Sequence, residues 1–130
     1  MKTLLSLGLA CFLLSHASST FAYDGIDFYG CRISAQDRVN SRGVKLYRLR
    51  DILAQDRANY HRFGRRDRVD QWDAFCQTVA NRQIFQFARI RISPRLKERI
   101  LAGENVNISV FILNRTLIDV QEGLVDPNVG

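Results

Sequence analysis

The stretch of the chain best suited to chemistry runs from Asp56 to Arg68, with the sequence DRANYHRFGRRDR. It contains His61, the sole histidine outside the first 22 residues, followed closely by Arg65 and Arg66. An imidazole can transfer a proton, and guanidinium groups can stabilise the charge that builds on phosphorus. These three side chains would therefore fit a small secreted hydrolase or toxin that cuts phosphodiesters.

The same stretch also has a purely structural interpretation. Cationic side chains in the last turn of a helix complement its dipole, while Tyr60 and Phe63 would pack inward. One histidine with one possible orienting carboxylate, Asp56 or Asp67, is a weak catalytic set. We favour the structural interpretation and keep phosphodiester hydrolysis as the alternative.

Other catalytic and metal-binding patterns are weaker. The sequence has no Gly-x-Ser-x-Gly motif and no glycine-rich phosphate loop. Asp67, Asp70 and Asp73 would share a helix face, but without further oxygen ligands they are typical of an N-terminal charge cluster. Two distant cysteines and one histidine do not have zinc-ligand spacing. We expect no metal and no cofactor.

Arginine dominates the basic residues. The chain has 19 Lys and Arg against 13 Asp and Glu, a formal net charge of +6. We predict a binding surface of six arginines: Arg62, Arg65, Arg66, Arg68, Arg89 and Arg91. Such a surface suits an acidic protein or another anionic component of the cell envelope. We expect no nucleic-acid partner, because the chain is predicted to be exported.

Residues 1–22 have the features of a secretory signal peptide. Lys2 precedes an apolar run from Leu4 to Leu14, and Thr20-Phe21-Ala22 supplies small residues for a cleavage site. The run is shorter than the roughly 20 residues that span a bilayer, and no later segment is apolar enough to do so. We predict cleavage after Ala22, a periplasmic or secreted mature chain, and no transmembrane segment.

Cleavage would leave two cysteines, Cys31 and Cys76. In an oxidising compartment an even pair predicts a disulfide, which on the chain-entropy model would contribute about 4 kcal/mol. Two unlinked thiols, one of them in the core, are the alternative. We predict the bridge.

The hydrophobic pattern predicts one α+β domain over residues 23–121 and a flexible C-terminal tail over 122–130. The element order is β-α-α-β-α-β-β, a small mostly antiparallel sheet packed on helices with one disulfide. The expected elements are a strand over 26–33, a helix that ends at Gly64, a helix from Asp67, a strand over 84–92, a helix over 94–102, and strands over 106–113 and 116–121.

The helix from Asp67 is predicted to be the central element of the core. A helical register places Val69, Trp72, Cys76 and Val79 on one apolar stripe, with Asp67 as the N-cap. The strand over residues 106–113 would serve as an exposed edge if the chain were part of a larger assembly.

Taken together, the sequence predicts an exported small basic domain that acts by binding. An inhibitor, an immunity-type protein or another ligand of an envelope protein would have these properties. Catalysis is the less favoured class because no complete catalytic set is discernible. The identity of the partner and the oligomeric state are left open.

Overall fold

The computed structural model describes residues 23–126, so the predicted signal peptide and residues 127–130 lie outside the described part of the chain. The predicted α+β class is confirmed: helices pack on a four-stranded mixed sheet. The strands are β1 (Asp27–Ile33), β2 (Arg89–Arg91), β3 (Val106–Asn114) and β4 (Leu117–Glu122). The helices are α1 (Leu49–Ala58), α2 (Val79–Arg82), α3 (Ile84–Phe87) and α4 (Pro94–Leu101).

The strands lie in the order β1-β3-β4-β2. Strand β3 pairs antiparallel with both β1 and β4, whereas β2 pairs with β4 in parallel. The sheet is therefore mixed, and β1 and β2 form its two edges. The prediction that residues 106–113 form an exposed edge is wrong, because β3 is paired on both sides.

The alternation that predicted β3 also determines the core. Val106, Ile108, Val110 and Ile112 are all buried, as expected for every second residue of a strand that packs on one face. Helix α1 contributes residues such as Leu53 to the same cluster.

Two predicted helix boundaries are confirmed by their caps. The side chain of Ser93 accepts a hydrogen bond from the backbone N–H of Leu96, and Pro94 occupies the first turn of α4. Helix α1 continues into a π-helical turn over Asn59–Phe63 that ends at Gly64, whose φ of +64° is in the left-handed region.

The predicted central helix from Asp67 is wrong. Residues 64–74 form turns and irregular chain, a 3₁₀ turn follows over Phe75–Gln77, and Trp72 is 61% exposed. Aspartate side chains compete with the backbone for hydrogen bonds, and Asp70 accepts from the N–H groups of both Arg32 and Asp67. The loop therefore bonds to β1 and to itself instead of coiling.

The predicted strand over residues 84–92 is wrong in its first half. Ile84–Phe87 forms α3, and only Arg89–Arg91 is extended. Arg50 of α1 stabilises the helical turn, because its guanidinium donates to the carbonyl oxygens of Phe85 and Gln86 and to that of Ala88 just beyond. A short apolar run is compatible with either structure, and this long-range contact favours the helix.

The predicted Cys31–Cys76 disulfide is also wrong. Both cysteines are free and fully buried, and they lie apart. Cys31 packs in the core from β1, whereas the backbone N–H of Cys76 is bound to the carboxylate of Asp73. An even cysteine count does not bring two Cβ atoms within bonding distance, so pairing could not be inferred from the count alone.

Candidate functional site

A buried arginine, Arg57, connects the end of α1 to the irregular segment that follows. Its side chain is fully buried. Nε donates to Oδ2 of Asp56 at 2.7 Å, and Nη1 donates to Oδ1 of Asp73 at 3.0 Å and to the carbonyl oxygen of Gln71 at 2.8 Å. One guanidinium therefore holds residues 71–73 against the helix.

Aromatic rings flank this guanidinium. Its central carbon lies 3.9 Å from the ring centroid of Tyr29 on β1 and 4.7 Å from that of Tyr60. The guanidinium of Arg66 lies 4.5 Å from the Tyr60 ring. Cation–π contacts of this kind stabilise a desolvated cation, so the rings help to keep Arg57 charged inside the protein.

The two partners of the Arg57–Asp56 pair respond differently to burial. Burial raises the pKa of Asp56 to about 7. The adjacent charge of Arg57 opposes this rise, and the charges of Asp37 and Asp70 add to it by smaller amounts. Burial alone would lower the pKa of Arg57, but the charge of Asp56 raises it well above its usual range. Arg57 contacts two carboxylates and Asp56 contacts one cation, so the arginine gains more from the cluster and stays protonated.

His61 is oriented by Asp73, and neither Asp56 nor Asp67 does so. Its Nε2 lies 2.7 Å from Oδ1 of Asp73. Burial alone would raise the pKa of Asp73, but hydrogen bonds from His61 and from the N–H of Cys76, with the charge of Arg57, hold that pKa below its ordinary value. The sequence contained no signal for this pair, because the two residues are joined only by the fold.

The His61–Asp73 pair is largely shielded from solvent. The imidazole side chain is 6% exposed, and burial together with Asp73 raises the pKa of Cys76, which makes its thiol a poor nucleophile. Among residues 23–126 no group of His, Cys, Asp and Glu side chains could hold a metal ion. Together with Arg57, the His61–Asp73 pair anchors residues 71–73 to the end of α1 and to the turn that follows it.

The segment held by this anchor is rich in exposed arginine. We call residues 62–74 the arginine–tryptophan loop. Its exposed side chains include four of the six predicted binding arginines and the single tryptophan: Arg62, Arg65, Arg66, Arg68 and Trp72. Asp67 bonds inward, accepting from Oγ of Ser34 at 2.7 Å and from Nε2 of Gln36 at 3.2 Å. The arginine side chains of the loop are therefore exposed to solvent, while the carboxylate of Asp67 attaches the loop to residues 34–36.

The other two predicted arginines lie at the far edge of the sheet. Arg89 and Arg91 belong to edge strand β2, whereas the loop bonds to the opposite edge strand, β1. Arg91 is also paired with Asp119 on β4, with 2.8 Å between Nε and Oδ1. The structure therefore divides the six arginines into two groups.

A surface groove of about 380 Å³ adjoins the loop. It lies between the outer face of α1 and the short helices α2 and α3. Ala54 and Ala58 contribute small side chains from α1, while Arg62, Phe63 and Val79 are exposed around it. An apolar groove beside a basic loop can accept a partner that is both apolar and acidic.

No family model, curated protein or solved structure matches this chain. No helix within residues 23–126 is long and apolar enough to cross a membrane. A function for the chain therefore has to be inferred from its own surface and from the contacts beneath that surface.

Proposed function

We propose that the chain is an exported small basic domain that binds an acidic protein of the cell envelope through the arginine–tryptophan loop. One observation carries the proposal: the loop exposes its arginines and Trp72 while the buried side chain of Arg57 fixes it from below. An inhibitor or an immunity-type partner would work in this way.

Fixing the loop before binding makes association less costly. A mobile loop loses conformational entropy when it docks, whereas this loop is already bonded through Gln71 and Asp73 to Arg57. Tryptophan and arginine are also the side chains that most often dominate binding energy at protein interfaces. The loop therefore combines suitable residues with a rigid support.

Charge determines the class of partner. Exposed arginines on one loop attract an acidic surface and accelerate its association, and they repel basic surfaces. The adjoining groove, with Phe63 and Val79 exposed, provides an apolar contact next to the charged one. An acidic protein with a protruding apolar side chain would fit both.

Export is part of the proposal and rests on the leader pattern of residues 1–22. Mass spectrometry of the protein recovered from fractionated cells should find Tyr23 as the N-terminal residue. Recovery of the chain from the cytoplasm with residues 1–22 attached would contradict export.

Charge reversal on the loop tests the binding surface. The double variant Arg65→Glu/Arg68→Glu should reduce recovery of the partner from envelope extract at least tenfold, with quantitative mass spectrometry as the readout. The matched control, Arg42→Glu/Arg95→Glu, reverses two exposed charges elsewhere and should recover the partner as the wild type does.

Salt provides the second readout of that experiment. Recovery by the wild type should fall as the salt concentration rises from about 50 to about 500 mM, because salt screens exposed charges. This range brackets 0.1 M, at which the Debye length is about 10 Å. Equal recovery by the loop variant and the control would contradict the proposed surface.

A further inference from the structure

Strand β2 is an open edge of the sheet. Among the strands of residues 23–126 it is paired with β4 alone. The N–H of Arg89 donates to the carbonyl oxygen of Thr116 at 2.9 Å, so residues 89 and 91 direct their backbone groups toward β4. Because these directions alternate along a strand, the N–H and C=O of Ile90 point away from the sheet.

A groove of about 290 Å³ lies beside this edge. Ile90 and Ile92 line it from β2 and the residue after it, and Leu101 of α4 lines it from the other side. Lys97 is exposed on α4, and Tyr47, which precedes α1, is 72% exposed. Leu49 lines the groove together with Arg48 and Arg50, so apolar and basic side chains alternate along the open strand's neighbour.

The opposite face of β2 is basic. Side chains alternate along a strand, so Arg89 and Arg91 project from the face opposite to Ile90, and both are exposed. Arg91 faces Asp119 on the neighbouring strand, whereas Arg89 has Leu117 as its register partner. A strand added next to β2 would meet the groove, with its apolar and basic side chains, on one face and Arg89 on the other.

We infer that the β2 edge binds an extended segment of a partner protein in which apolar and acidic residues alternate. The segment adds a fifth strand: its backbone pairs with the free N–H and C=O of Ile90. Its apolar side chains enter the groove of Ile92 and Leu101, and its acidic side chains lie beside Arg89. This site is at the sheet edge opposite the arginine–tryptophan loop and does not depend on the function proposed for that loop.

The charge of the edge excludes a second copy of the chain as the preferred occupant. Pairing β2 with β2 would place Arg89 and Arg91 of one copy beside the same residues of the other. Like charges directly opposite each other in a sheet are destabilising, whereas an acidic strand gains from the same arginines.

The test uses three synthetic peptides and the purified chain. The first peptide is Glu-Val-Glu-Ile-Glu-Val-Glu, the second has the same sequence with N-methyl groups on alternate residues, and the third replaces each Glu by Lys. Fluorescence anisotropy should show saturable binding of the first, at least tenfold weaker binding of the second, and none of the third. The amide of Ile90 should gain protection from hydrogen exchange when the first peptide binds.

Variants locate the binding site. Lys97→Glu/Leu101→Glu alters two exposed positions of α4 and should weaken binding of the first peptide at least tenfold. Arg65→Glu/Arg68→Glu should leave its affinity unchanged, which separates this site from the loop. Binding that persists after N-methylation, that is lost only in the loop variant, or that is absent at millimolar peptide would overturn the inference. Sedimentation that shows a dimer abolished by Lys97→Glu/Leu101→Glu would also overturn it, in favour of a second copy.

Discussion

The two edges of the sheet are treated in opposite ways. At the β1 edge, Gly30 exchanges two hydrogen bonds with Gln71, its N–H donating to Oε1 at 2.8 Å and its carbonyl accepting from the Gln71 N–H at 2.8 Å. The N–H of Arg32 donates to Oδ1 of Asp70 at 2.8 Å. At the β2 edge, Ile90 keeps outward-facing backbone groups beside a groove. One edge is closed by the chain itself, and the other is left available.

The arginine–tryptophan loop covers the β1 edge, and the buried charge of Arg57 holds that loop in place. Gln71 reaches Gly30 because Arg57 holds the Gln71 carbonyl, and Arg57 is buried with Asp56 and Asp73. Burying such a cluster opposes stability unless nearly every group is paired. Buried charged residues therefore support the loop that covers the β1 edge. No such cluster among the described residues supports a cover for the β2 edge.

Of the variants considered, one that removes Arg57 should most strongly weaken the closed β1 edge relative to the open β2 edge. Arg57→Met would leave Asp56 and Asp73 buried without their cation and would release Gln71 from α1. The free energy of unfolding in urea should fall by about 3–5 kcal/mol, the usual result of breaking a buried charge pair. Arg65→Met, on the exposed surface, should change it by less than about 0.5 kcal/mol. Similar values for the two variants would show that the anchor does not support the closed edge.

The closed edge should respond to pH through Asp56, and the open edge should not. Because burial raises the pKa of Asp56 from 3.8 to about 7, the folded state retains a proton that the unfolded chain has lost between those values. The resulting stability is fully present below about pH 4 and is lost as pH rises through 7.

Comparison with Asp56→Asn isolates this contribution. The stability of the wild type minus that of the variant should fall by at most about 4 kcal/mol from pH 4 to pH 7. Over the same range, hydrogen exchange at Gly30 should accelerate relative to Ile90. A stability difference that rises with pH would mean that Asp56 is ionised throughout.

Gln71→Ala removes one hydrogen bond at the closed β1 edge and should have a smaller effect than Arg57→Met. It removes the acceptor of the Gly30 N–H and should lower the free energy of unfolding by about 1–2 kcal/mol, since a buried donor loses its partner. Gln77→Ala, at an exposed position, is the matched control and should have almost no effect. Unchanged exchange protection at Gly30 in Gln71→Ala would show that the side chain does not close the edge.

The smallest expected effect is on the surface of the loop. Trp72→Ser should alter the free energy of unfolding by less than about 0.5 kcal/mol because the indole is 61% exposed. In the folded wild type, this single tryptophan should emit as a solvent-exposed indole and be quenched readily by acrylamide. A blue-shifted, protected emission would place Trp72 in the core and contradict the exposed loop.

Local signals in the sequence predicted two helix boundaries and one strand correctly. Ser93 and Pro94 marked the start of α4, Gly64 marked the end of the turn after α1, and the alternation from Val106 identified β3. Each of these signals acts between residues a few positions apart, so it can be read without knowing the fold.

The predictions that are wrong concern contacts between residues far apart in the sequence. The spacing of Trp72 to Cys76 and Val79 is helical and predicts a place in the core. Instead, Asp70 accepts from the N–H of Arg32 on β1, and Asp73 accepts from Arg57 and from the N–H of Cys76, so the segment does not coil. The sequence carries no signal that Arg57 is the centre of the site, because Asp73 and Tyr29 become its neighbours only after folding. The close approach at Gly30 is of the same kind, since a Cβ there would lie 3.0 Å from Oε1 of Gln71.

The pairing of β1 with β3 has a consequence for how the chain is made. Cys31 lies opposite Ile108, so the first strand has no sheet partner until most of the chain has left the ribosome. The arginine–tryptophan loop is synthesised much earlier and can bond to Gly30 in the meantime. Contacts between distant residues slow folding and lengthen exposure to aggregation. The loop can therefore cover the edge of β1 that β3 does not use, before β3 itself has been made.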